Sequence, residues 1–308
     1  MKKKYIFATT LIIIILIPVC AQKQKQSRYI KKYDVLQYLP NKSDGNPATF
    51  WKLIIDNNKE FKGTMAKFDN PKGSAKQAKE KIDKAVANMK SYREMRESTP
   101  ADEELNKGVQ KMMFGDGDNY GMTFSVSTNK EWNAFCTPDG HVLVNIGLIE
   151  VLKKDPDMLY GVVAHEICHY IYRHVLIHEY KSIKKEKQNM IGAAIGAAGT
   201  AIGNAAAASA GEQGEYGAEQ YTSWYDTARE QSEMAKYKYS REEEAEADIV
   251  AYRFLEWIGV DPEKYIEAHE KINLDYLRGT DDKESDHPST KFRIEMLKQL
   301  TPAPWNKQ

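Results

Sequence analysis

The sequence predicts a mainly helical α+β protein with one small antiparallel sheet. Apolar residues recur at helical spacing between residues 75 and 96, where Ile82, Ala85 and Met89 share one face. Between residues 122 and 127 the pattern alternates from one residue to the next, as in a half-buried strand. Long helices around a few short strands therefore describe most of the chain.

Helices before the sheet are expected at residues 50–61, 75–96 and 101–113, and turns containing glycine, proline or asparagine separate them. Strands are expected at residues 122–127, 132–135 and 141–146, with Gly147 closing the last one. A turn at Pro138-Asp139-Gly140 separates the second strand from the third. Together the three strands could form the small antiparallel sheet.

The first helix after the sheet starts at Pro156, with Asp155 as its N-cap, and is expected to continue to about Asn189. The next helix opens with a capping box, in which Ser240 precedes Glu243 by three residues. It is expected to end at Gly259, and two further helices are expected from Asp261-Pro262 to Gly279 and from His287-Pro288 to Leu300.

The first 21 residues show the three parts of a secretory signal. A basic cluster, Lys2 to Lys4, precedes an apolar run from Ile6 to Val19, and a polar run follows Ala21. The apolar run is shorter than the ~20 residues that a membrane span needs, so cleavage after Ala21 is expected. A lipoprotein anchored through Cys20 is the lesser alternative. The protein is therefore expected to be exported, either periplasmic or secreted.

Charge and cysteine content exclude some classes of protein. Lysine and arginine together number 44, as do aspartate and glutamate, so no net charge favours a nucleic acid, and none is expected as a partner. Peripheral membrane association is left open. Without the signal only Cys136 and Cys168 remain, which is too few for a disulfide framework.

The segment His165-Glu166-Ile167-Cys168-His169 has the spacing of a zinc site. Histidines four residues apart project from one face of a helix, where two ring nitrogens can bind one tetrahedral metal ion. Glu166 lies beside them and can take a proton from an attacking water, then return it to the leaving amine. One zinc ion per chain is expected, with His165 and His169 as ligands and Glu166 as general base.

A second histidine pair, His174 and His178, has the same spacing nine residues further along. On one continuous helix, a rotation of ~100° per residue turns this pair to the opposite face. Val175 also replaces the acid that follows the first histidine of the other pair. Structural or exposed positions are therefore expected for both residues.

A third protein ligand is expected from the acidic run 242–248. Spacing alone leaves two choices, because the pairs Glu242/Glu246 and Glu244/Asp248 are each one helical turn apart. An acidic run is ordinarily a solvated helix face, but an apolar face follows directly at residues 247–255. One side of this acidic turn must therefore approach the core.

The chain resembles the zinc metallopeptidase family that includes the CAAX prenyl endoprotease, the heat-shock protease HtpX, the mitochondrial protease OMA and the periplasmic protease BepA. Four segments resemble that family's motifs in the same order: Asn133-Ala134-Phe135 with Asp139-Gly140-His141 through Ile149, His165 through His174, Glu244 through Asp248, and His287-Pro288 with Arg293. The resemblance implies a zincin-like metallopeptidase domain over residues 121–301, with a Gly/Ala-rich insertion at 190–224. It leaves residues 22–120 as an N-terminal helical region.

The resemblance also implies roles for the residues outside the histidine pair. Glu244 would be the third zinc ligand, and Asp248 would accept a hydrogen bond from His165 and orient it. His287 and Arg293 would donate hydrogen bonds to the oxyanion. In some relatives the matching histidine instead binds the zinc and keeps the enzyme latent. Helix capping by His287 and a simple ion pair of Arg293 are the alternatives.

The strand at residues 141–145 could offer its edge to an extended substrate through main-chain hydrogen bonds. Its residues are His141, Val142, Leu143, Val144 and Asn145. The alternative is a core strand. For the Gly/Ala-rich insertion, a helical hairpin or a lid is favoured over membrane insertion, since alanine and glycine are weakly hydrophobic.

The predicted function is zinc-dependent endopeptidase activity on unfolded or misassembled envelope proteins. The alternative is a zinc-stabilised periplasmic chaperone or binding module with little proteolysis. Both would bind zinc and extended polypeptides. Glu166 favours the enzyme, because a pure binding module needs no general base.

Overall fold

The computed structural model describes residues 28–94, 100–197, 239–276 and 290–306. The expected signal at 1–21, most of the insertion at 190–224, and His287 lie outside the described residues.

In the described part of the chain, residues 28–33 are helical, and four further α-helices follow them before the sheet: α1 (Pro47–Asn57), α2 (Lys59–Met65), α3 (Gly73–Glu94) and α4 (Pro100–Phe114). The single helix expected at 50–61 is therefore wrong, because the helical run is interrupted at Asn58. Asn58 has ψ 90°, outside the helical range, and its side-chain oxygen accepts a hydrogen bond from the backbone N–H of Phe61. An asparagine that caps a new helix in this way ends the preceding one.

The sheet has three strands: β1 (Thr123–Ser127), β2 (Ala134–Cys136) and β3 (His141–Asn145), in the order β1-β3-β2. β2 and β3 form an antiparallel pair, but β1 runs parallel to β3. The prediction of an antiparallel sheet is therefore wrong for one of the two pairings. The segment between β1 and β2 passes the end of β3, where Asn145 and Gly147 donate backbone hydrogen bonds to Asn133 and Asn129. This passage places β2 on the far side of β3.

β3 is the central strand, and all five of its residues are buried. Its backbone pairs with β1 along residues 141–145 and with β2 along residues 142–144. The prediction that this strand offers an edge to substrate is therefore wrong, because both of its sides are already paired. The alternative of a core strand is what the structure shows.

Six helices of the described residues follow the sheet: α5 (Ile146–Leu152), α6 (Pro156–Ile171), α7 (His174–Ala197), α8 (Arg241–Trp257), α9 (Glu263–Tyr276) and α10 (Thr290–Leu297). The sequence patterns miss α5, because Gly147 reads as the end of a strand. A side chain at Gly147 would lie 2.1 Å from the backbone oxygen of Lys130, so this glycine permits a close approach of two chain segments.

The helix expected from Pro156 to about Asn189 is two helices in the structure. α6 ends at Ile171 and α7 begins at His174. Between them Arg173 has a φ of 52°, which is left-handed backbone and cannot continue a right-handed helix. The axis of the chain therefore changes direction directly after the segment 165–169.

One hydrophobic core joins the helices before the sheet to those after it. At its centre α6 packs against α8, α9 and β2, and its residues Val163 and Ile167 are fully buried. Trp51 of α1 stacks on Phe254 of α8 with ring centroids 5.0 Å apart. Each of these side chains contributes roughly 1.5–3 kcal/mol by its burial. In the described parts of the chain, every helix is too short or too polar to cross a membrane.

Candidate metal centre

The two histidines of the segment 165–169 lie side by side on α6, with 3% of His165 and 2% of His169 exposed. Their Nε2 atoms are 3.0 Å apart. One helical turn between them brings both rings to one face, and the surrounding core removes that face from water. Two buried imidazoles in contact need partners that compensate for the lost hydration.

Glu244 reaches the same point from α8, which packs across α6. Its Oε2 lies 3.5 Å from His165 Nε2, and its Oε1 lies 3.6 Å from His169 Nε2. Atoms bound to one tetrahedral zinc at about 2.0–2.1 Å are roughly 3.3 Å from each other. The distances of 3.0, 3.5 and 3.6 Å therefore fit three ligands of one zinc ion. Among the described residues, this trio is the one cluster of metal-binding type.

The choice between the two acidic pairs is resolved by burial. Glu244 and Asp248 have no exposed surface, whereas Glu242 is exposed and the side chain of Glu246 is 20% exposed. The capping box of Ser240 and Glu243 starts α8 as predicted.

Asp248 holds the second ring nitrogen of His165. Asp248 Oδ1 lies 3.0 Å from His165 Nδ1, and the hydroxyl of Tyr265, 3.0 Å from the same nitrogen, donates to Asp248 at 2.7 Å. A proton on Nδ1 that is donated to this carboxylate leaves the Nε2 lone pair for a metal. Although burial opposes the charge of Asp248, Arg293 and the hydrogen bond from His165 hold its pKa well below the usual range. The carboxylate is therefore charged.

Arg293 faces the same carboxylates. Its Nε and Nη2 donate to the two oxygens of Asp248 at 2.8 and 2.5 Å, and its Nη1 lies 3.6 Å from Glu244 Oε2. Arg293 thus forms a bidentate ion pair with Asp248, which is the alternative to its expected role as an oxyanion donor. His287, the other expected oxyanion donor, lies outside the described residues.

Glu166, the expected general base, is 6% exposed and directly follows His165 on α6. Tyr239 lies nearby: its ring stacks on that of His169, with centroids 3.7 Å apart and planes 20° apart. Burial, and next the negative charge of Glu166, raise the pKa of Tyr239 well above its usual range, so its hydroxyl stays protonated. Tyr239 could not be predicted from the sequence, since a single aromatic residue before a helix carries no pattern.

His174 is not on the opposite face, and that prediction is wrong because α6 and α7 are separate helices. It is 2% exposed, and its Nδ1 lies 2.8 Å from Nδ1 of His169. Its Nε2 lies 3.4 Å from Glu246 Oε2. His178, by contrast, is turned away from the ligands and contacts Glu243 Oε2 at 3.0 Å, with 38% of its side chain exposed.

β2 lies against α6, on the side of the sheet away from β1. Within the described ranges, no strand pairs with the outer edge of β2. The two cysteines of these elements, Cys136 and Cys168, are buried thiols without a disulfide, and burial raises the pKa of both.

Two buried histidines one turn apart, a glutamate directly after the first, and a second glutamate from a facing helix form a cluster that could hold a metal ion. This arrangement is the residue pattern of zincin-type metallopeptidases. The family model of peptidase family M48 matches residues 101–301, and the chain belongs to this family of zinc metallopeptidases. The mainly helical α+β fold predicted from the sequence is confirmed by this match and by the structure. No curated protein gives a significant match to the chain.

Proposed function

We propose that the protein is a zinc-dependent endopeptidase that hydrolyses peptide bonds of unfolded or misassembled envelope proteins. The observation that carries the proposal is the convergence of His165, His169 and Glu244 beside the buried Glu166. Family membership supports the general activity. The substrate class rests on the export signal expected at residues 1–21 and on the strand edge beside α6.

Each residue of the centre has a part in the proposed hydrolysis. A bound zinc ion would polarise the peptide carbonyl and lower the pKa of a water molecule. Glu166 takes the proton of the attacking water and returns it to the leaving amine. Asp248 holds His165 in the tautomer that is protonated on Nδ1 and has a free lone pair on Nε2. Arg293 keeps Asp248 charged. His287 remains a candidate for the oxyanion donor or for a latency ligand.

The outer edge of β2 is the better candidate for binding an extended polypeptide. Ala134, Phe135 and Cys136 pair with β3 on one side only, among the residues that the structure describes. An extended chain can add to such an edge through main-chain hydrogen bonds, which read little of the side-chain sequence. This mode of binding suits a protease whose substrates share an unfolded state.

The proposed location is the cell envelope. The basic, apolar and polar parts of residues 1–25 support export, with cleavage after Ala21 or, as the lesser alternative, a lipid anchor on Cys20. Peripheral association with the membrane is compatible with either form. We propose no nucleic-acid partner, because the chain has no net charge.

The test is degradation of casein by the purified protein loaded with zinc. Glu166→Gln removes the base but keeps the shape, so cleavage should fall by about 100-fold or more while zinc stays near one ion per chain. Glu150→Gln, a substitution of an exposed glutamate that pairs with Lys130, is the matched control and should cleave like the parent.

Two outcomes would count against the proposal. Cleavage by the Glu166→Gln variant at the parent rate would remove Glu166 as the base. A parent protein that binds zinc and suppresses aggregation of the unfolded substrate, but does not cleave it, would favour the chaperone or a latent enzyme.

A further inference from the structure

We infer that His174 is a positioning residue for the ligand His169, and that Glu246 holds His174 in turn. The inference rests on the metal centre of the proposed function. His174 of α7 and Glu246 of α8 lie outside the cluster of His165, His169 and Glu244.

The contacts form a chain that leads away from the ligand. His169 Nδ1 lies 2.8 Å from His174 Nδ1, and His174 Nε2 lies 3.4 Å from Glu246 Oε2. The side chain of His174 is 3% exposed, so water does not replace these contacts. The ring of Tyr172 lies nearly parallel to that of His174, with centroids 6.0 Å apart and planes 12° apart.

Metal binding by His169 determines where the protons of this chain lie. When Nε2 of His169 offers its lone pair to a metal, Nδ1 of that ring carries the proton and donates it. His174 Nδ1 must then be the acceptor, so the proton of a neutral His174 is on Nε2. That nitrogen is buried and makes no hydrogen bond to the other described residues, and the Glu246 carboxylate is the acid beside it.

The two ligand histidines are therefore held by one helix in two ways. Asp248 of α8 contacts Nδ1 of His165 directly, while Glu246 of α8 acts on His169 through His174. Residues that orient metal-binding histidines typically change metal affinity by 10- to 100-fold when removed. His178 provides an internal comparison, because it lies on the same helix as His174, four residues later, but contacts Glu243 and not His169.

The test uses a matched pair of substitutions at one position. Leucine and asparagine have similar shapes, but only the asparagine oxygen can accept a hydrogen bond from His169. Zinc affinity of the purified full chain is measured by competition with a chromophoric chelator. We expect His174→Leu to bind zinc about 10- to 100-fold more weakly and His174→Asn to stay within about threefold of the parent. His178→Leu is the control and should bind like the parent.

Stability is recorded separately, as the unfolding midpoint of each metal-free variant. If His174→Leu does not fold, Glu246→Gln is compared with Glu242→Gln, which loses the same charge from an exposed site of the same helix. A greater loss of zinc affinity for Glu246→Gln is then the expected result.

The possible outcomes separate the two proposals. A parent that binds no zinc would overturn the metal centre itself. If the parent binds zinc and the folded His174→Leu variant binds it with equal affinity, only the role of His174 is overturned. Equal weakening by leucine and asparagine would likewise overturn it, because the loss would then not follow the hydrogen-bond acceptor. Equal affinities of Glu246→Gln and Glu242→Gln would remove the role of Glu246.

Discussion

His165 and His169 differ in the group that contacts the second ring nitrogen, Nδ1. His165 and His169 are of one residue type and one turn apart, yet the first contacts a carboxylate and the second another histidine. In both cases the Nδ1 contact leaves Nε2 directed at Glu244. In the proposed zinc centre, Asp248 and His174 are therefore the residues that would orient the two rings toward the metal.

His178 lies outside the metal centre and pairs with Glu243. The hydrogen bond to Glu243 raises its pKa above the usual value, although burial and Lys181 oppose the charge, while Glu179 favours it. A histidine whose pKa is higher in the folded state stabilises the fold in its protonated form. That stabilisation is complete below the unfolded pKa of about 6.5 and is lost as the pH rises through the folded value.

We therefore expect His178→Gln to lower the free energy of unfolding more in acid than in base. At about pH 6 the loss should be about 0.5–1 kcal/mol, because the pair is partly exposed, and at about pH 9 it should be smaller. Denaturant unfolding of the metal-free parent and variant at both pH values measures the difference. An equal loss at both would show that the charge of His178 does not contribute.

The break between α6 and α7 determines which face of the molecule each histidine pair occupies. Arg173 adopts left-handed backbone without being a glycine, and its guanidinium lies over the ring of Tyr170 at 4.0 Å. The break turns α7 so that its first residue, His174, lies against His169. A continuous helix would have carried His174 away from the centre.

The backbone conformation at Arg173 can be tested with two substitutions that both remove the contact with Tyr170. Glycine adopts left-handed backbone without a steric penalty, whereas a β-branched valine does not. Arg173→Val should therefore be less stable to denaturant than Arg173→Gly by about 1 kcal/mol. Equal stabilities would mean that the turn tolerates a change of backbone, and that it does not place His174.

At the level of the whole molecule, a buried ion pair joins the segment before α1 to α8, the helix that carries Glu244. Arg253 of α8 has a fully buried side chain and donates to both oxygens of Asp34, at 2.9 and 2.7 Å. It also donates to Glu256 at 2.6 Å and to the backbone of Thr301. One guanidinium thus connects three distant parts of the chain around the core.

Removing one partner of this buried pair should weaken the entire fold. We expect Asp34→Ala to lower the free energy of unfolding by about 2–3 kcal/mol, because Arg253 keeps Glu256 but loses a second carboxylate. The control is Asp56→Ala, which removes an exposed partner of Lys52 and should cost under about 0.5 kcal/mol. Far-UV circular dichroism and tryptophan fluorescence should report one common transition, and two separate transitions would contradict a shared core.

Local patterns in the chain were sufficient for most helices and for the histidine pair. Helical spacing, the capping box at Ser240 and the proline at 156 act over a few residues, so their outcome depends little on distant segments. The pair His165 and His169 shares one face because four residues make about one turn. The mainly helical fold class and the shared face of His165 and His169 could therefore be predicted without the structure.

Long-range packing decided the remaining features. The acidic run was compatible with two carboxylate pairs, and only the packing of α8 on α6 turns Glu244 and Asp248 inward. The central position of β3 depends on pairing with β1 on one side and β2 on the other, and the order of the strands in the chain does not show this. His174 joined the centre because a non-glycine residue adopts left-handed backbone at 173, for which the sequence has no signal. Contacts between residues far apart in the chain depend on the summed packing of many side chains, and no short pattern contains that sum.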